Sequence, residues 1–466
     1  MHFFFKCANF KPTSRGIRLK LLCPAEKLVL FARNRPSRYE PEAVPIPELT
    51  RKRAGLSEKS WKLWREARAA TLEVRHQICE TADANFLKVL EAFQECQLSE
   101  ALLAGSTGYG YDDSGREGVD HLFARAFGCE RAAARLQWIS GTHAIASALR
   151  GNLRPGQTLL SATGAPYDTL LPTIGHPEDY QGSLRSFGIG YTEVPLKDGD
   201  IDIGAVENAL DDSTGLVFIQ RSRGYTWRPS FSVSKIAQLI QAIRNRRGHD
   251  VTILVDNCYG EMVEELEPTQ VGADLCAGSL IKNLGATIVP TGAYVAGTEL
   301  AVERSLTAFT APGLGGHVGP SLGLARSMAQ ALSLAPQTVA QSLEGLVVAA
   351  WIFAQAGFET SPGWNEPRTD TIQAIKLGSV QAQRVFCKAI QSFGLVDSRA
   401  TPVPVVQPGY RDPILMAGGT FIQGSSAELS ADGPEREPYV CYLQGGTSRL
   451  HVELAALAAL EKLTGE

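Results

Sequence analysis

The chain has 466 residues, 44% of them hydrophobic and 20% charged, enough apolar material for two domains or one large α/β unit with an appendage. A formal net charge of -4 excludes a nucleic-acid binder that works through bulk positive charge, and no apolar run approaches the roughly 20 residues a membrane-spanning helix needs. Nine cysteines are scattered without a CxxC pair or histidines at zinc-ligand spacing, which predicts free thiols in a reducing compartment and no metal site.

Residues 1–50 differ from the rest. Nine lysines and arginines from Lys6 to Arg38 face Glu26 as the only acid before Glu40. This composition fits an organelle transit segment, a disordered basic tail or a misassigned start codon, and the stretch carries no weight in the fold argument. The expected location is the cytoplasm, or a plastid or mitochondrion if the segment is a targeting one. Pro41, Pro45 and Pro47 mark a linker. From Leu56 to about Leu103 apolar residues recur at helical spacing (Trp61, Trp64, Ala67, then Ile78, Ala82, Phe86, Leu90, Phe93), predicting one long or two shorter helices. The glycine-rich stretch Gly105–Arg116 then breaks regular structure.

From 117 to 300 the pattern alternates. Helices are predicted near 118–127, 142–150 and 232–247, and strands at Thr158–Ser161, Leu216–Gln220, Val251–Asp256, Leu275–Gly278 and Gly292–Ala296. Strands alternating with helices imply an α/β protein with a mostly parallel sheet covered on both faces, whose functional groups collect at the carboxyl ends of the strands. A helical run follows Ala311–Gly319 and continues to about Ala356. Beyond it, strand-like Thr401–Val406 and Tyr439–Gln444 mix with helical 371–393 and 452–463, predicting a smaller α+β domain. The expected divisions are a helical and loop segment at 51–116, a large domain at 117–325 and a small one at 326–466.

Three residues within the large domain form a chemical set. Asp256 ends an apolar, β-branched run, and Ser279 and Lys282 follow a second short run, the lysine standing 26 positions after the aspartate. An acid, a hydroxyl and an amine in this order suit pyridoxal 5'-phosphate (PLP): a partner for the pyridine nitrogen, one for the phosphate and an amine for the aldehyde. Ser140-Gly141-Thr142-His143 opens a helix and offers a phosphate cup. His143 either approaches the cofactor ring or is an ordinary helix residue. Tyr167, just after a strand, supplies a flat face for stacking. Tyr111 and Arg116 on the glycine-rich loop could complete the phosphate site. Arg221 and Arg223, at a strand end, could grip a substrate carboxylate or lie on a solvated rim.

These segments together resemble the methionine γ-lyase-like family, also called aluminium resistance proteins, a branch of the fold-type I PLP enzymes in the cystathionine/methionine lyase class. The resemblance covers roughly residues 50 to 460. It is carried by Gly108-Tyr109-Gly110-Tyr111-Asp112-Asp113, Ser140–Ala144, Pro166-Tyr167-Asp168-Thr169-Leu170, Gln220–Tyr225, Ser279-Leu280-Ile281-Lys282-Asn283 and Ala417–Gly424. It implies that Lys282 is the Schiff-base lysine and catalytic base and that Asp256 pairs with the ring nitrogen. Ser279 and the Gly141-Thr142 backbone would hold phosphate, with Ser140 and His143 beside them, while Tyr167 would stack and assist the leaving group. Tyr111 and Arg116 would reach the phosphate of a neighbouring subunit, so a homodimer or homotetramer with shared sites is expected. For the substrate carboxylate, Arg449 matches the class by position and Arg368 is a rival, beside Arg221 and Arg223. The implied activity is γ-elimination of methionine to methanethiol, 2-oxobutanoate and ammonia. Alternatives are a cystathionine or cysteine lyase, an aminotransferase, or a non-catalytic PLP-binding protein in metal tolerance. No acidic cluster has hard-cation spacing.

Overall fold

The helical spacing read between Leu56 and Leu103 becomes two helices, α1 (Glu58–Ala70) and α2 (Leu72–Cys96), in a computed structural model that describes residues 55–465. The predicted basic extension at 1–50 lies outside the described residues. Ser57 caps α1 by accepting from the Ser60 N–H, and Trp61, Trp64 and Ala67 form its buried stripe. Thr71 leaves helical geometry and splits the pattern in two. Next comes α3 (Ser114–Ala126), capped by Asp113, whose side chain accepts from the Arg116 N–H.

The alternating region then runs β1 (Arg131–Arg135), α4 (Gly141–Asn152), β2 (Thr158–Ser161), the single turn α5 (Leu171–Ile174), β3 (Gly190–Glu193), α6 (Ile203–Ala209) and β4 (Thr214–Gln220). It continues with α7 (Val233–Arg247), β5 (Thr252–Asp256), β6 (Leu275–Ser279), β7 (Ala293–Gly297) and α8 (Glu299–Phe309). The seven strands form one sheet in the order β1-β7-β6-β5-β4-β2-β3. Neighbours from β6 to β3 pair in parallel, and β7 runs antiparallel to both β6 and β1. Successive residues of a strand serve opposite faces. Leu216 and Phe218 of β4 pack with Ile145 and Leu149 of α4, whereas Val217 and Ile219 pack with Ile236 and Leu239 of α7. That double burial makes β4 and β5 near-continuous apolar runs, and it is why they could be read from sequence.

Two strands escaped that reading. Arg131–Arg135 contains three alanines between arginines, a helix-favouring composition that pairing with β7 overrides. Gly190–Glu193 is an edge strand and carries no apolar run.

The long helix α9 (Ala325–Gln355) leads to β8 (Thr360–Ser361), β9 (Ile372–Lys376), α10 (Val380–Ser392), β10 (Ile414–Gly418), β11 (Ser430–Pro434), β12 (Val440–Gln444) and α11 (Arg449–Thr464). A second, antiparallel sheet has the order β10-β11-β12-β9-β8. Here the sequence expectations need correction. The helix expected over 371–393 starts as strand β9, and a break at Gly378-Ser379 separates it from α10, which Ser379 caps. The strand expected over Thr401–Val406 is irregular apart from one bridge, Val405 to Ile414, because Pro402 and Pro404 remove ladder donors. Among the described residues no helix is long and apolar enough to cross a membrane, and no group of His, Cys, Asp or Glu side chains could hold a metal ion.

Candidate active site

Strand register sets the site. Gln220 pairs with Asp256 and Asp256 with Ala277, so the ends of β4, β5 and β6 form one rim, just before Lys282 in the chain. A cavity of about 380 Å3 opens on this rim, lined by Asp256, Lys282, Tyr167, Ser279 and the start of α4, with the second sheet contributing its far wall.

Asp256 is buried and accepts from the Cys258 N–H at 3.1 Å. Burial pushes its carboxyl above the ordinary range, and the Lys282 charge pulls partly back. The Lys282 Nζ lies 3.7 Å from the centre of the Tyr259 ring. Burial disfavours its ammonium, but the negative charge that Cys258, Tyr259 and Asp256 can carry outweighs this and raises its pKa. Tyr259 sits at φ 71, a left-handed conformation an aromatic residue rarely adopts, which fixes the ring beneath the amine.

Ser140 caps α4, its Oγ accepting from the His143 N–H at 3.2 Å. Ser140, Gly141 and Thr142 line the cavity at a helix end whose first N–H groups have no partner within the helix. Gly141 is pressed closely: a Cβ there would stand 3.2 Å from the Cys258 Sγ and 3.4 Å from the Ser279 Cβ. The Thr142 Oγ1 and the Tyr167 hydroxyl are hydrogen-bonded at 3.0 Å. The Tyr167 N–H donates to the Gln220 Oε1 at 2.8 Å, which ties this residue to the β4 end. Burial, followed by the nearby Asp256 charge, raises the Tyr167 phenol well above its usual range.

Six of the residues singled out from sequence do not line this cavity. His143 turns its ring edge toward Phe309, at 5.6 Å between centroids, which is the ordinary helix-residue alternative. Arg116 is buried and donates to the Gly110 and Gly319 carbonyls at 2.6 and 3.1 Å, so it holds the glycine-rich loop within its own chain. Tyr111 is exposed and stacks with Tyr109 at 5.4 Å. Arg221 is enclosed by Glu264, Asn257 and the Gly260 carbonyl, and Arg449 pairs with Glu344. Arg368 donates to the Gln373 Oε1 at 2.7 Å in the protein interior.

Arg223 does reach the cavity wall. Its Nη1 donates to the Ser361 carbonyl and hydroxyl at 3.0 and 2.9 Å, its Nε stands 4.0 Å from the buried Asp370 carboxylate, and Nη2 has no hydrogen-bond partner although the residue is buried. Two further arginines, Arg228 and Arg436, also line the cavity and were not singled out from sequence. Arg228 spends its Nη2 on the Gln220 and Ser222 carbonyls, and Arg436 pairs with Asp412 near the surface. Asp432, Tyr442 and Gln444, from the second sheet, were missed as well. Their positions depend on tertiary pairing that no local motif announces.

With this geometry in view, the comparisons with known proteins are consistent. The family model for methionine gamma-lyase matches residues 60–464. The chain is similar to YnbB of Bacillus subtilis (strain 168), 45% identical over 400 residues spanning 85% of this chain and 95% of that one. Among solved structures it is similar to a carbon-sulfur lyase involved in aluminum resistance from Clostridium novyi NT, with 43% identity and a TM-score of 0.85 over 89% of this chain and 99% of that one. A proposed cystathionine beta-lyase involved in aluminum resistance from Clostridium acetobutylicum gives 44% and 0.86 over 90% and 99%.

Proposed function

The chain belongs to the methionine gamma-lyase family, and from that premise we propose that it is a PLP-dependent carbon–sulfur lyase whose cavity takes a sulfur amino acid. The observation that carries this reading is the convergence of Lys282, Asp256, Tyr167, Ser279 and the α4 start on one cavity of about 380 Å3.

The residues present fit the cofactor. The close approach at Gly141 leaves a cradle that a side chain would fill, at the end of a helix suited to an anion. Lys282 would bind the aldehyde carbon, Asp256 the protonated ring nitrogen, Tyr167 the ring face, and Ser140, Gly141, Thr142 and Ser279 the phosphate. Bound there, the cofactor supplies an electron sink for the substrate's α-carbon. Asp256 would keep the ring nitrogen protonated by its own charge. With the cofactor bound, the Lys282 Nζ would take the α-proton and carry it further along the substrate. Tyr167, held protonated by burial, can give its phenolic proton to the departing sulfur. Tyr111, exposed on its loop, keeps a proposed role toward a second copy of the chain, as does Arg116, whose Nε has no hydrogen-bond partner among the described residues.

The carboxylate ligand proposed for the substrate is Arg223, because its buried guanidinium at the cavity wall, with Asp370 4.0 Å from Nε, keeps Nη2 without a partner and so leaves a donor for an anion. Arg223→Ala is expected to raise KM for amino-acid substrates by about 30-fold, the loss of roughly 2 kcal/mol of charge-assisted binding. Arg449→Ala should leave KM within about twofold, since its partner lies elsewhere. Initial-rate kinetics on both variants check this, and the reverse pattern overturns the assignment.

Methionine γ-elimination, giving methanethiol, 2-oxobutanoate and ammonia, is the first reading of the reaction. A second is favoured by a specific observation: three arginines reach the cavity, more than the one carboxylate of methionine needs. A thioether with two carboxylates, such as cystathionine, would use them. Purified PLP-loaded protein should be given methionine, cystathionine and cysteine separately, with the 2-oxo acid and the thiol both quantified. Release of neither from any of the three removes the lyase reading.

A further inference from the structure

The far wall of the cavity is not apolar, as a methyl thioether would need. Asp432 of β11 and Tyr442 and Gln444 of β12 face it from the second sheet. The Gln444 Nε2 donates to the Asp432 Oδ2 at 3.2 Å, and the Tyr225 hydroxyl is a second neutral hydrogen-bond partner of the same carboxylate. Around that carboxylate, Tyr225 packs at tilted angles against Tyr410 and Tyr442, with ring centroids 5.7 and 5.4 Å away. Asp432 forms no ion pair among the described residues. Its hydrogen-bond donors are neutral and Lys282 acts on it only through its field, so this recessed acid, bordered by aromatic rings, lacks a contacting cation, and an ammonium is the group that completes it. The cavity already illustrates this preference, since its own cation, Lys282, rests on the ring of Tyr259.

We propose that Asp432, held by Tyr225 and Gln444, is the specificity-determining residue for the substrate's leaving arm, selecting thioethers whose distal end carries an ammonium group. The α-amine of such a substrate goes to Lys282 and the cofactor, and its α-carboxylate to Arg223. The distal cation then enters the tyrosine-bordered wall. Methionine, with a terminal methyl, leaves the Asp432 charge unpaired and gains nothing from this wall. The proposal rests on the reading of the cavity as a sulfur amino-acid site.

The charge of Asp432 also sets a pH dependence. Burial raises its carboxyl to about 7, against the lowering effect of Tyr225, Lys282 and Gln444. Tyr259, Tyr410, Tyr442 and Cys441 are the other titratable groups near it. A raised carboxyl is charged above that value and neutral below it, so selection for a cation is present on the alkaline side and lost as the pH falls.

The test uses a matched pair, S-(2-aminoethyl)-L-cysteine and S-propyl-L-cysteine, which differ at the terminal group. Binding to the PLP-loaded enzyme is followed by the change in the cofactor's visible absorbance, so no turnover is needed. The aminoethyl compound should bind at least about tenfold tighter near about pH 8.5, and the preference should shrink to within about threefold near about pH 6. Asp432→Asn should cut the alkaline preference to within about threefold as well. Equal binding of the two compounds to the wild type at alkaline pH, or a preference that survives in Asp432→Asn, overturns the proposal. If that variant fails to fold, the wild-type pH series decides alone. If both compounds bind with the expected ratio while no thioether is cleaved, the lyase reading fails and the ammonium site stands.

Discussion

Lys282→Ala is expected to abolish the visible absorbance band of a lysine-bound cofactor and to lower kcat for the proposed thioether cleavage by about a thousandfold or more. Two losses combine in this variant. By the proposed assignment the cofactor would keep its noncovalent contacts with Ser279, the α4 start and Asp256, but would have no amine to bind its aldehyde carbon. The substrate would then lose the one lysine that lines the cavity among the described residues and is proposed to move a proton between its carbons. The side chain spans a cavity wall rather than the packed interior, so removing it leaves water-accessible space instead of a dry void. The thermal midpoint should therefore fall by only about 1 °C, roughly what 1 kcal/mol produces in a chain of this size. An absorbance scan of the PLP-supplemented variant and an assay for released 2-oxo acid check the expectation. A variant retaining a tenth of the wild-type rate would show that Lys282 is not the proton carrier.

That central set was legible in the sequence for a physical reason. A parallel sheet buried on both faces writes its strands as apolar runs, and the residue ending such a run stands on the rim where ligands bind. Val251–Asp256 and Leu275–Ser279 obey this rule, so Asp256 and Lys282 could be found from local pattern alone. The second sheet gives no such signal. Strand β11 reads Ser430-Ala431-Asp432-Gly433-Pro434, whose glycine, proline and aspartate usually mark a turn. Its pairing with β10 and β12 is what makes it a strand and brings Asp432 to the cavity. The glycine-rich loop shows the converse: Arg116 reads as a phosphate ligand, and its Nη1 also donates to the carbonyls of Gly110 and Gly319 in its own chain. Which partner a charged side chain meets is a tertiary fact, and sequence spacing names only the candidates.

Arg221 and Arg223 make that point within three residues, and Arg221 carries the largest stability effect expected here. Arg221→Ala should destabilise the fold by about 3–5 kcal/mol, because it removes one partner of a buried charge network and leaves the others unpaired. The Arg221 side chain has no exposed surface; its Nη2 meets the Glu264 carboxylate at 2.5 Å, and its Nη1 stands 3.8 Å from Glu267, also fully buried. Nη1 further donates to the Asn257 Oδ1 at 2.7 Å and to the Gly260 carbonyl at 2.9 Å. A Cβ at position 260 would stand 2.5 Å from that same nitrogen, so the guanidinium and the turn are fitted together. The turn from Asn257 to Glu267 contains Tyr259, the ring beneath Lys282, so the network braces the site without touching substrate. Arg221→Lys should recover only part of the loss, since one ammonium cannot bridge Glu264, Asn257 and a carbonyl in a fixed fork. Urea denaturation of the three proteins measures the order expected: wild type, then Lys, then Ala. Were Arg221 instead the carboxylate ligand that its strand-end position suggested, the alanine variant would keep its unfolding midpoint and lose substrate affinity alone.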